Sequence, residues 1–329
     1  MFSILVAAYN AEPYLRDALN CLLRQTCAEW EALCVDDGST DGTLALLQSY
    51  AEQDERIKVF RNAKNQGPAV TRNTAISHAK GDIMLMLDAD DWLSDNALEK
   101  LQETFSRNPE TGCVLFSLVE EYDGSSNPYP MPHRPGSVLS GREAFRLSLD
   151  WQLHGVYAVR ADLQRRYLYD ATSHHFSDDN TTRIHYLHSR EVRISDAEYH
   201  YRKHAGSIST GITPRRFDYL EANLSMKRQL EEENKMDASL VTGDDILFYE
   251  RHRWLNYVGA HWWLFLYRGH FTKEENQKIK EQLRETYETF PHGGDFDQRK
   301  FGYRWYKNYR TFLLQEWFYM RLRWIVGRR

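Results

Sequence analysis

The chain has 329 residues, of which 42% are hydrophobic and 27% charged, and this composition excludes wholesale disorder and fibrous structure. The length suggests about two domains, with cores large enough to need no disulfide or metal. A formal net charge of −5 offers no general attraction for nucleic acid, so no nucleic-acid partner is expected. Cys21 and Cys34 lie in apolar runs, where buried thiols are expected.

Residues 1–6 carry no basic leader, and no apolar stretch approaches the roughly 18–20 residues that span a bilayer. We therefore expect neither a signal peptide nor a spanning helix. The expected location is the cytoplasm.

Residues 1 to about 120 alternate short apolar runs with amphipathic segments. The apolar runs predict strands at 3–8, 31–35, 57–60, 82–87 and 113–119. The amphipathic segments predict helices from Pro13, around 44–51, at 68–79 and at 96–106. This alternation is typical of βαβ units that build a parallel sheet with helices on its faces.

The rest of the chain is first mixed and then helical. A long connection at 122–136 is expected to border a cleft, and Ser140 and Glu143 have the spacing of a capping box. Further strands are predicted near 155–159 and 192–201, with a helix after Asp179. Beyond about 214 the pattern predicts helices at 217–233, 244–269, 273–289 and 303–326. A domain boundary is therefore expected near 212.

Polar residues follow several predicted strands at the point where each strand ends. They are Tyr9-Asn10, Asp36-Asp37 and the run from Asp88 to Asp91. In parallel sheets, ligands bind beyond these carboxyl ends. Asp88 and Asp90 lie on the same side of an extended segment, where they can share one hard cation, although such a pair also caps helices. A capping role suits Asp91 better.

Two common nucleotide-binding signatures are missing from the sequence. No GxGxxG follows the first strand, and no GxxxxGK[ST] occurs. A dinucleotide-dependent dehydrogenase and a P-loop NTPase are therefore not expected.

Motifs at 3–10, 35–43, 65–73, 79–82 and 87–91 resemble those of the family 2 glycosyltransferases, in the same order and at similar separations. The resemblance is strong over 1–120 and loose over 150–210. It implies an α/β fold of the GT-A type, with a Rossmann-like, mostly parallel sheet flanked by helices. The catalytic domain would be 1–212, with a donor half at about 1–120 and an acceptor half at about 121–212, followed by a mainly helical region at 213–329.

The same resemblance implies which residues bind the sugar donor. Tyr9 would stack on the nucleobase, with Ala7 contributing backbone beside it, and Asp37 would accept the N–H of a pyrimidine. Arg72 would steady the diphosphate and Asp88 would bind the ribose. The alternatives are a packed aromatic ring for Tyr9 and a solvated arginine on a helix face for Arg72.

A metal site and a general base are implied as well. Asp90 would be the direct ligand of Mn²⁺ or Mg²⁺, with Asp88 and His204 as further candidate ligands. A surface histidine is the alternative for His204. Asp179 would be the general base, with Asp178 as the second candidate. The family usually has Glu as the first acid of this pair, and Asp178 replaces it here.

The last residues of the chain, 299–329, are basic and aromatic. Their one acid is Glu316, and their basic residues are Arg299, Lys300, Arg304, Lys307, Arg310, Arg321, Arg323, Arg328 and Arg329. A basic, Trp-rich amphipathic helix is typical of elements that lie on an anionic membrane. The alternative is a helix packed on the catalytic domain with its arginines in solvent.

The resemblance implies an inverting glycosyltransferase, and together with the strand-end carboxylates it predicts a metal-dependent one. The donor is expected to be a nucleotide-diphosphate sugar, most simply a UDP-sugar carrying a hexosyl or N-acetylhexosaminyl group. The acceptor is expected to be a glycan or lipid-linked glycan in the synthesis of envelope polysaccharide, lipopolysaccharide or capsule, at the inner face of the cytoplasmic membrane. A nucleotidyltransferase and an inactive scaffold of the same fold are the alternatives.

Overall fold

The computed structural model describes residues 1–176, 178–204, 211–291 and 308–327. The chain divides into two compact units, Met1–Ser207 and Ile208–Arg329. The first unit ends at Ser207, five residues before the boundary predicted at 212.

The first unit is built on a ten-stranded sheet. Its strands are β1 (Phe2–Ala8), β2 (Trp30–Asp36), β3 (Ile57–Arg61), β4 (Ile83–Met86), β5 (Trp92–Leu93), β6 (Thr111–Tyr122), β7 (Ser125–Pro128), β8 (Val138–Ser140), β9 (Tyr157–Arg160) and β10 (Glu191–Arg202). They run in the order β3-β2-β1-β4-β9-β6-β10-β5, with β7 beside β6 and β8 beside β10. The first four strands in this order are mutually parallel, as are β6 and β10, whereas β5, β7, β8 and β9 pair antiparallel.

Helices cover both faces of this sheet. They are α1 (Leu15–Leu23), α2 (Thr43–Ala51), α3 (Pro68–His78), α4 (Ala97–Arg107), α5 (Gly141–Ser148), α6 (Ala161–Arg166) and α7 (Asp178–Leu187). Because side chains alternate along a strand, Ile4 and Val6 of β1 join the hydrophobic cluster that contains α1 and α4, while Leu5 joins the cluster on the other face. The predicted α/β fold class is confirmed.

The segment predicted as a long connection at 122–136 is partly a hairpin. Strand β6 continues to Tyr122, and β7 returns antiparallel to it. The tight turn between them is possible because Asp123 and Gly124 adopt positive φ values of 49° and 76°. The prediction missed β7 because its four residues are all exposed, so no alternation of polar and apolar side chains marks it.

Local signals place the ends of several helices. The predicted capping box before α5 is confirmed, since Glu143 N donates to Ser140 Oγ at 3.3 Å and Ser140 N donates to the Glu143 carboxylate at 2.9 Å. Helix α1 begins at Leu15, two positions later than the start predicted at Pro13. The buried thiols predicted for Cys21 and Cys34 are confirmed.

The second unit is helical where the structure describes it. Its helices are α8 (Asp218–Met236), α9 (Gly243–Tyr267), α10 (Lys273–Glu288) and α11 (Tyr309–Ile325). Phe217, Trp254, Tyr257, Leu283 and Phe312 are among the buried residues of its core. The part of the last predicted helix before residue 308, with Arg304 and Lys307, lies outside the described residues, as do Arg299, Lys300, Arg328 and Arg329. In the described ranges, no helix has the length and apolar character required to cross a bilayer.

Candidate active site

Three strand ends meet at one edge of the sheet. Strand β1 lies between β2 and β4 and runs parallel to both, so the residues that follow the three strands emerge together. The Asp37 amide donates to the Ala8 carbonyl at 2.8 Å, and the Leu87 amide donates to the Leu5 carbonyl at 3.0 Å. The polar segments that the sequence predicted to be neighbours therefore lie side by side.

The turn after β1 is tied to the turn after β2. Asn10 N donates to Ser39 Oγ at 3.0 Å, and Thr40 N donates to Asn10 Oδ1 at 2.9 Å. Asn10 adopts a positive φ of 48°. Beside it the Tyr9 side chain is 49% exposed, next to half-buried Ala7. The ring is open to a stacking partner.

Asp37 is buried, and its carboxylate is engaged by the chain itself. It accepts hydrogen bonds from Asn62 Nδ2 at 2.7 Å, from the Gln66 amide at 3.0 Å and from the Gly67 amide at 2.9 Å. Gly67 has a φ of 88°, and a Cβ there would lie 2.9 Å from the His174 ring. Asp37 therefore orders the loop that leads into α3. A contact between Asp37 and a pyrimidine base stays a prediction.

Arg72 on α3 joins two carboxylates from distant parts of the chain. Its guanidinium donates to Asp88 at 2.7 Å and to Asp178 at 2.8 Å, while its side chain is 5% exposed. Burial by itself would lower the Arg72 pKa, but the two carboxylates raise it well above the ordinary value, so the group stays charged. The alternative of a solvated arginine is wrong. The arginine links the Asp88 loop to the start of α7.

Asp178 and Asp179 open α7 but have different surroundings. Asp178 is held by Arg72, whereas no hydrogen bond or ion pair within the described ranges engages the Asp179 carboxylate. Burial, reinforced by the neighbouring charge of Asp178, raises the pKa of Asp179 to about 7, against the opposing effect of Arg183 and Arg72. A carboxylate that titrates near neutral pH and is free of partners is suited to accept a proton.

Asp90, in the loop that follows β4, pairs with His204, which lies just after the end of β10. The ring Nε2 of His204 lies 2.9 Å from a carboxylate oxygen of Asp90, and the ring stacks on Tyr14 at 4.5 Å. The His204 side chain is 21% exposed, and its role as a metal ligand stays a prediction. Arg202 also donates from Nε to the Asp90 carbonyl at 2.9 Å.

The sequence analysis missed the part that β10 plays. Asp91 is fully buried and accepts hydrogen bonds from the Tyr199 hydroxyl and the Arg202 amide, both at 2.8 Å. The Tyr199 hydroxyl in turn accepts from the Asp88 amide at 3.1 Å. A capping role for Asp91 is wrong, because the next helix begins only at Ala97. The alternation of buried and exposed side chains along β10 marks Tyr199 as inward-facing, but it does not reveal the partner.

The residues present fit a divalent cation whose remaining ligands come from substrate. Within the described ranges no three His, Cys, Asp or Glu side chains cluster at metal-binding separations. Asp90 and His204 provide an oxygen and a nitrogen donor, and Mg²⁺ typically binds through one or two carboxylates together with substrate phosphates. Burial and the Asp90 charge raise the pKa of Asp88, and a cation would relieve that crowding.

The parallel part of the sheet, with acidic groups beyond its strand ends, is the arrangement in which α/β proteins bind ligands. Residues 3–172 match the family model described as "Glycosyl transferase family 2", which is about half of the chain. The chain belongs to glycosyl transferase family 2.

Several relatives are similar to parts of the chain. The putative teichuronic acid biosynthesis glycosyltransferase TuaG of Bacillus subtilis is 37% identical over 126 residues, which cover 38% of this chain and 50% of TuaG. Glycosyltransferase GlyG of Streptococcus pneumoniae is 28% identical over 224 residues, which cover 63% of this chain and 72% of GlyG. A poly(ribitol-phosphate) beta-glucosyltransferase of Bacillus spizizenii is 38% identical over 119 residues, which cover 35% of this chain and 19% of that enzyme. The match with TuaG thus spans half of that protein's length.

The fold is similar to that of solved structures. Residues 1–349 of S. aureus TarS in complex with UDP-GlcNAc match with a TM-score of 0.65 at 20% identity, covering 88% of this chain and 81% of that one. The complex of the same TarS residues with UDP matches with a TM-score of 0.60 at 17% identity, and the match covers 93% of this chain and 99% of that one. These matches establish the shared fold.

Proposed function

We propose that this chain transfers a sugar from a UDP-sugar to a hydroxyl group of a glycan or lipid-linked glycan, with inversion at the anomeric carbon. The observation that carries the proposal is that Arg72 of α3 joins Asp88, in the loop after β4 that also carries Asp90, to Asp178 of α7, the neighbour of Asp179. These groups come from three separate elements and supply donor binding, charge neutralisation and a proton acceptor in one place.

The donor half offers an open aromatic ring and an ordered loop. Tyr9 is available to stack on a base, and the Asp37 loop lies beside it through the Asn10–Thr40 contact. The TarS structures of similar fold contain UDP-GlcNAc and UDP, which supports a UDP-sugar here. We therefore propose a hexosyl or N-acetylhexosaminyl donor.

We propose that Asp90, with His204 and Asp88 as further ligands, holds Mn²⁺ or Mg²⁺ against the diphosphate. When bound, the cation would neutralise the negative charge that develops on the departing diphosphate. The Asp90 and His204 side chains already lie within hydrogen-bond distance, so both could reach one ion without a change in the backbone.

The proposed chemistry is a single displacement. Asp179 accepts the proton of the acceptor hydroxyl while the hydroxyl oxygen attacks the anomeric carbon. The bond from that carbon to the diphosphate oxygen breaks, and UDP carries away the electron pair. Attack from the face opposite the leaving group inverts the configuration. Arg72 fixes Asp178 and so positions the turn that carries Asp179, while its predicted contact with the donor diphosphate stays a prediction.

The names of the relatives support an acceptor in cell-wall polysaccharide synthesis. TuaG is named for teichuronic acid biosynthesis, and the Bacillus spizizenii enzyme is named for poly(ribitol-phosphate). We propose that the acceptor is such a polymer or a lipid-linked precursor of it, and that the enzyme acts at the inner face of the cytoplasmic membrane. The family match favours sugar transfer over nucleotidyl transfer.

A screen of nucleotide sugars tests the proposal. Thermal unfolding of the full chain is followed with each UDP-, GDP- and dTDP-sugar, with and without Mn²⁺, together with release of free nucleotide. We expect one UDP-sugar to raise the unfolding midpoint only when Mn²⁺ is present, and to release UDP slowly. Binding without any release of UDP in the presence of glycan acceptors would favour an inactive scaffold. No stabilisation by any donor would contradict the proposal.

Asp90→Asn tests the metal site directly. The side chain is at a strand-end loop, so the fold should persist while metal-dependent nucleotide binding and most activity are lost. Asp82→Asn is the matched control, because Asp82 lies just before β4 at its other end and is 84% exposed. If Asp90→Asn binds Mn²⁺ and UDP as the unmodified chain does, the metal assignment is wrong.

A further inference from the structure

Helix α11 has a narrow buried stripe. Phe312, Glu316 and Met320 follow one another at intervals of four residues and are at most 7% exposed. Phe312 packs on Trp254 and Tyr257 of α9, each with ring centroids 5.5 Å away. The helix is therefore anchored to the core of its own unit through this stripe.

The rest of α11 exposes large apolar side chains. They are between 47% and 75% exposed, and they are Leu314, Trp317, Phe318, Leu322, Trp324 and Ile325. Single exposed apolar residues are common on proteins, but a contiguous set of this size marks an interaction surface. We call these six residues the apolar face of α11.

Cations, but no exposed acid, accompany the apolar face. Arg310 and Arg321 are exposed, and the Arg321 guanidinium lies over the Trp317 ring at 4.4 Å. The one acid of the helix, Glu316, is 1% exposed and belongs to the buried stripe. The exposed surface of α11 thus combines aromatic and aliphatic side chains with uncompensated positive charge.

We propose that the apolar face of α11 binds the surface of an anionic lipid bilayer. Tryptophan and phenylalanine side chains would enter the boundary between head groups and acyl chains, where an amphipathic ring is most stable. The side chains of Arg310 and Arg321 are long enough to keep their guanidinium groups at the level of the lipid phosphates.

Charge and shape favour a bilayer over a protein partner. A second copy of the helix would bring the arginines of both copies together, and like charges oppose that pairing. Near the end of the helix the exposed residues Leu322, Trp324 and Ile325 cover about 160° of its circumference, since each residue turns by about 100°. A flat bilayer covers so wide a face along its whole length, which suits a helix that lies on a membrane surface.

Vesicle binding by the full chain tests the proposal. Vesicles of phosphatidylcholine with phosphatidylglycerol are compared with vesicles of phosphatidylcholine alone, at low and at high salt. We expect binding to the anionic vesicles that weakens as salt rises. Arg310→Gln with Arg321→Gln should weaken it by about 30-fold, because each basic residue near an anionic surface contributes roughly a fivefold factor.

Matched variants keep the test specific. Lys273→Gln with Lys278→Gln removes the same charge from exposed positions of α10, and Met236→Ser with Leu255→Ser removes exposed apolar side chains from α8 and α9. These controls should bind as the unmodified chain does, whereas Leu314→Ser with Phe318→Ser should abolish binding. Deleting the helix is less informative, because it also removes buried Phe312.

A second measurement reports insertion. Brominated lipids should quench part of the tryptophan fluorescence of the full chain, and that part should disappear in Trp317→Phe with Trp324→Phe. The proposal is overturned if the full chain ignores anionic vesicles at low salt, or if the α10 control loses as much binding as the arginine variant. It is also overturned if Leu314→Ser with Phe318→Ser instead dissociates a dimer in sedimentation. None of these readouts depends on sugar transfer, so they are independent of the proposed function.

Discussion

Adjacent carboxylates at the start of α7 differ because only one of them has a partner. Arg72 pairs with Asp178, whereas burial and the charge of Asp178 raise the pKa of half-buried Asp179 to about 7. A carboxyl group in this state is protonated below neutral pH and becomes a base above it. The division of roles between the two residues therefore follows from which carboxylate reaches the guanidinium.

Asp179→Asn is expected to lower turnover by about 10²–10⁴-fold, the usual contribution of a general base, while donor affinity changes little. Asp178→Asn should be much milder. In the unmodified chain, turnover should rise with pH through about 7, because Asp179 must lose its proton before it can accept one. Steady-state kinetics between acid and mildly alkaline pH measure both effects. Greater loss in Asp178→Asn would move the base to that residue.

Arg72→Gln should move the acid limb of that pH profile upward. The Arg72 charge lowers the pKa of Asp179, so its removal leaves the carboxyl group harder to ionise. Asp178→Asn should move the limb in the opposite direction, because the Asp178 charge raises that pKa. A purely structural role for Arg72 would reduce turnover without any shift in the profile. Arg24→Gln, at an exposed ion pair with Asp95, is the matched control.

At the scale of elements, β10 holds the acidic loop that follows β4. The Tyr199 hydroxyl lies between Asp91 and the Asp88 amide, and Arg202 contacts Asp91 through its backbone and Asp90 through its side chain. The strand thereby connects the loop that would hold the metal to the segment that carries His204. Burial and the neighbouring carboxylates raise the pKa of Asp91 well above its ordinary value.

Tyr199→Phe should therefore loosen this loop. Removal of the hydroxyl leaves the partly buried Asp88 amide and one buried Asp91 oxygen without that partner, at a cost of about 1–3 kcal/mol in the free energy of unfolding. Metal-dependent nucleotide binding should weaken in parallel. Tyr122→Phe, at a ring 61% exposed on β6, should change neither quantity. Denaturant titration and nucleotide titration provide the measurements, and unaltered nucleotide binding would count against the positioning role of Tyr199.

At the scale of the whole molecule, the two units have separate hydrophobic cores. The first unit packs its helices on the two faces of the sheet, and the second packs aromatic side chains from α9, α10 and α11 around Trp254. The candidate active site belongs entirely to the first unit.

Phe312→Ala should lower the free energy of unfolding by about 3–5 kcal/mol, because it empties a fully buried aromatic position in the second core. Phe318→Ala, at a side chain 67% exposed six residues later, should change it by less than about 0.5 kcal/mol. Nucleotide binding at low denaturant should survive in both variants. Chemical denaturation followed by tryptophan fluorescence and by nucleotide binding separates the two effects. Equal losses from both variants would contradict the assigned packing of α11.

The sequence by itself determined the elements and the family. Short apolar runs, helical spacing and strand-end aspartates are local patterns, and they located most strands and helices of the described chain together with the edge where Tyr9, Asp37 and Asp88 emerge. The exposed hairpin strand β7 was missed because no local pattern distinguishes it.

Tertiary structure decided which of these groups touch. Arg72 and Asp178 are separated by 106 positions in the chain, and Asp90 and His204 by 114, so no spacing rule predicts either pair. The fold gives Asp178, and not Asp179, an ion pair with Arg72. It also buries Asp91 in a hydrogen bond with the Tyr199 hydroxyl, where the sequence predicted a helix cap. Partners, burial and the resulting pKa values depend on three-dimensional proximity, which sequence patterns encode only through the fold as a whole.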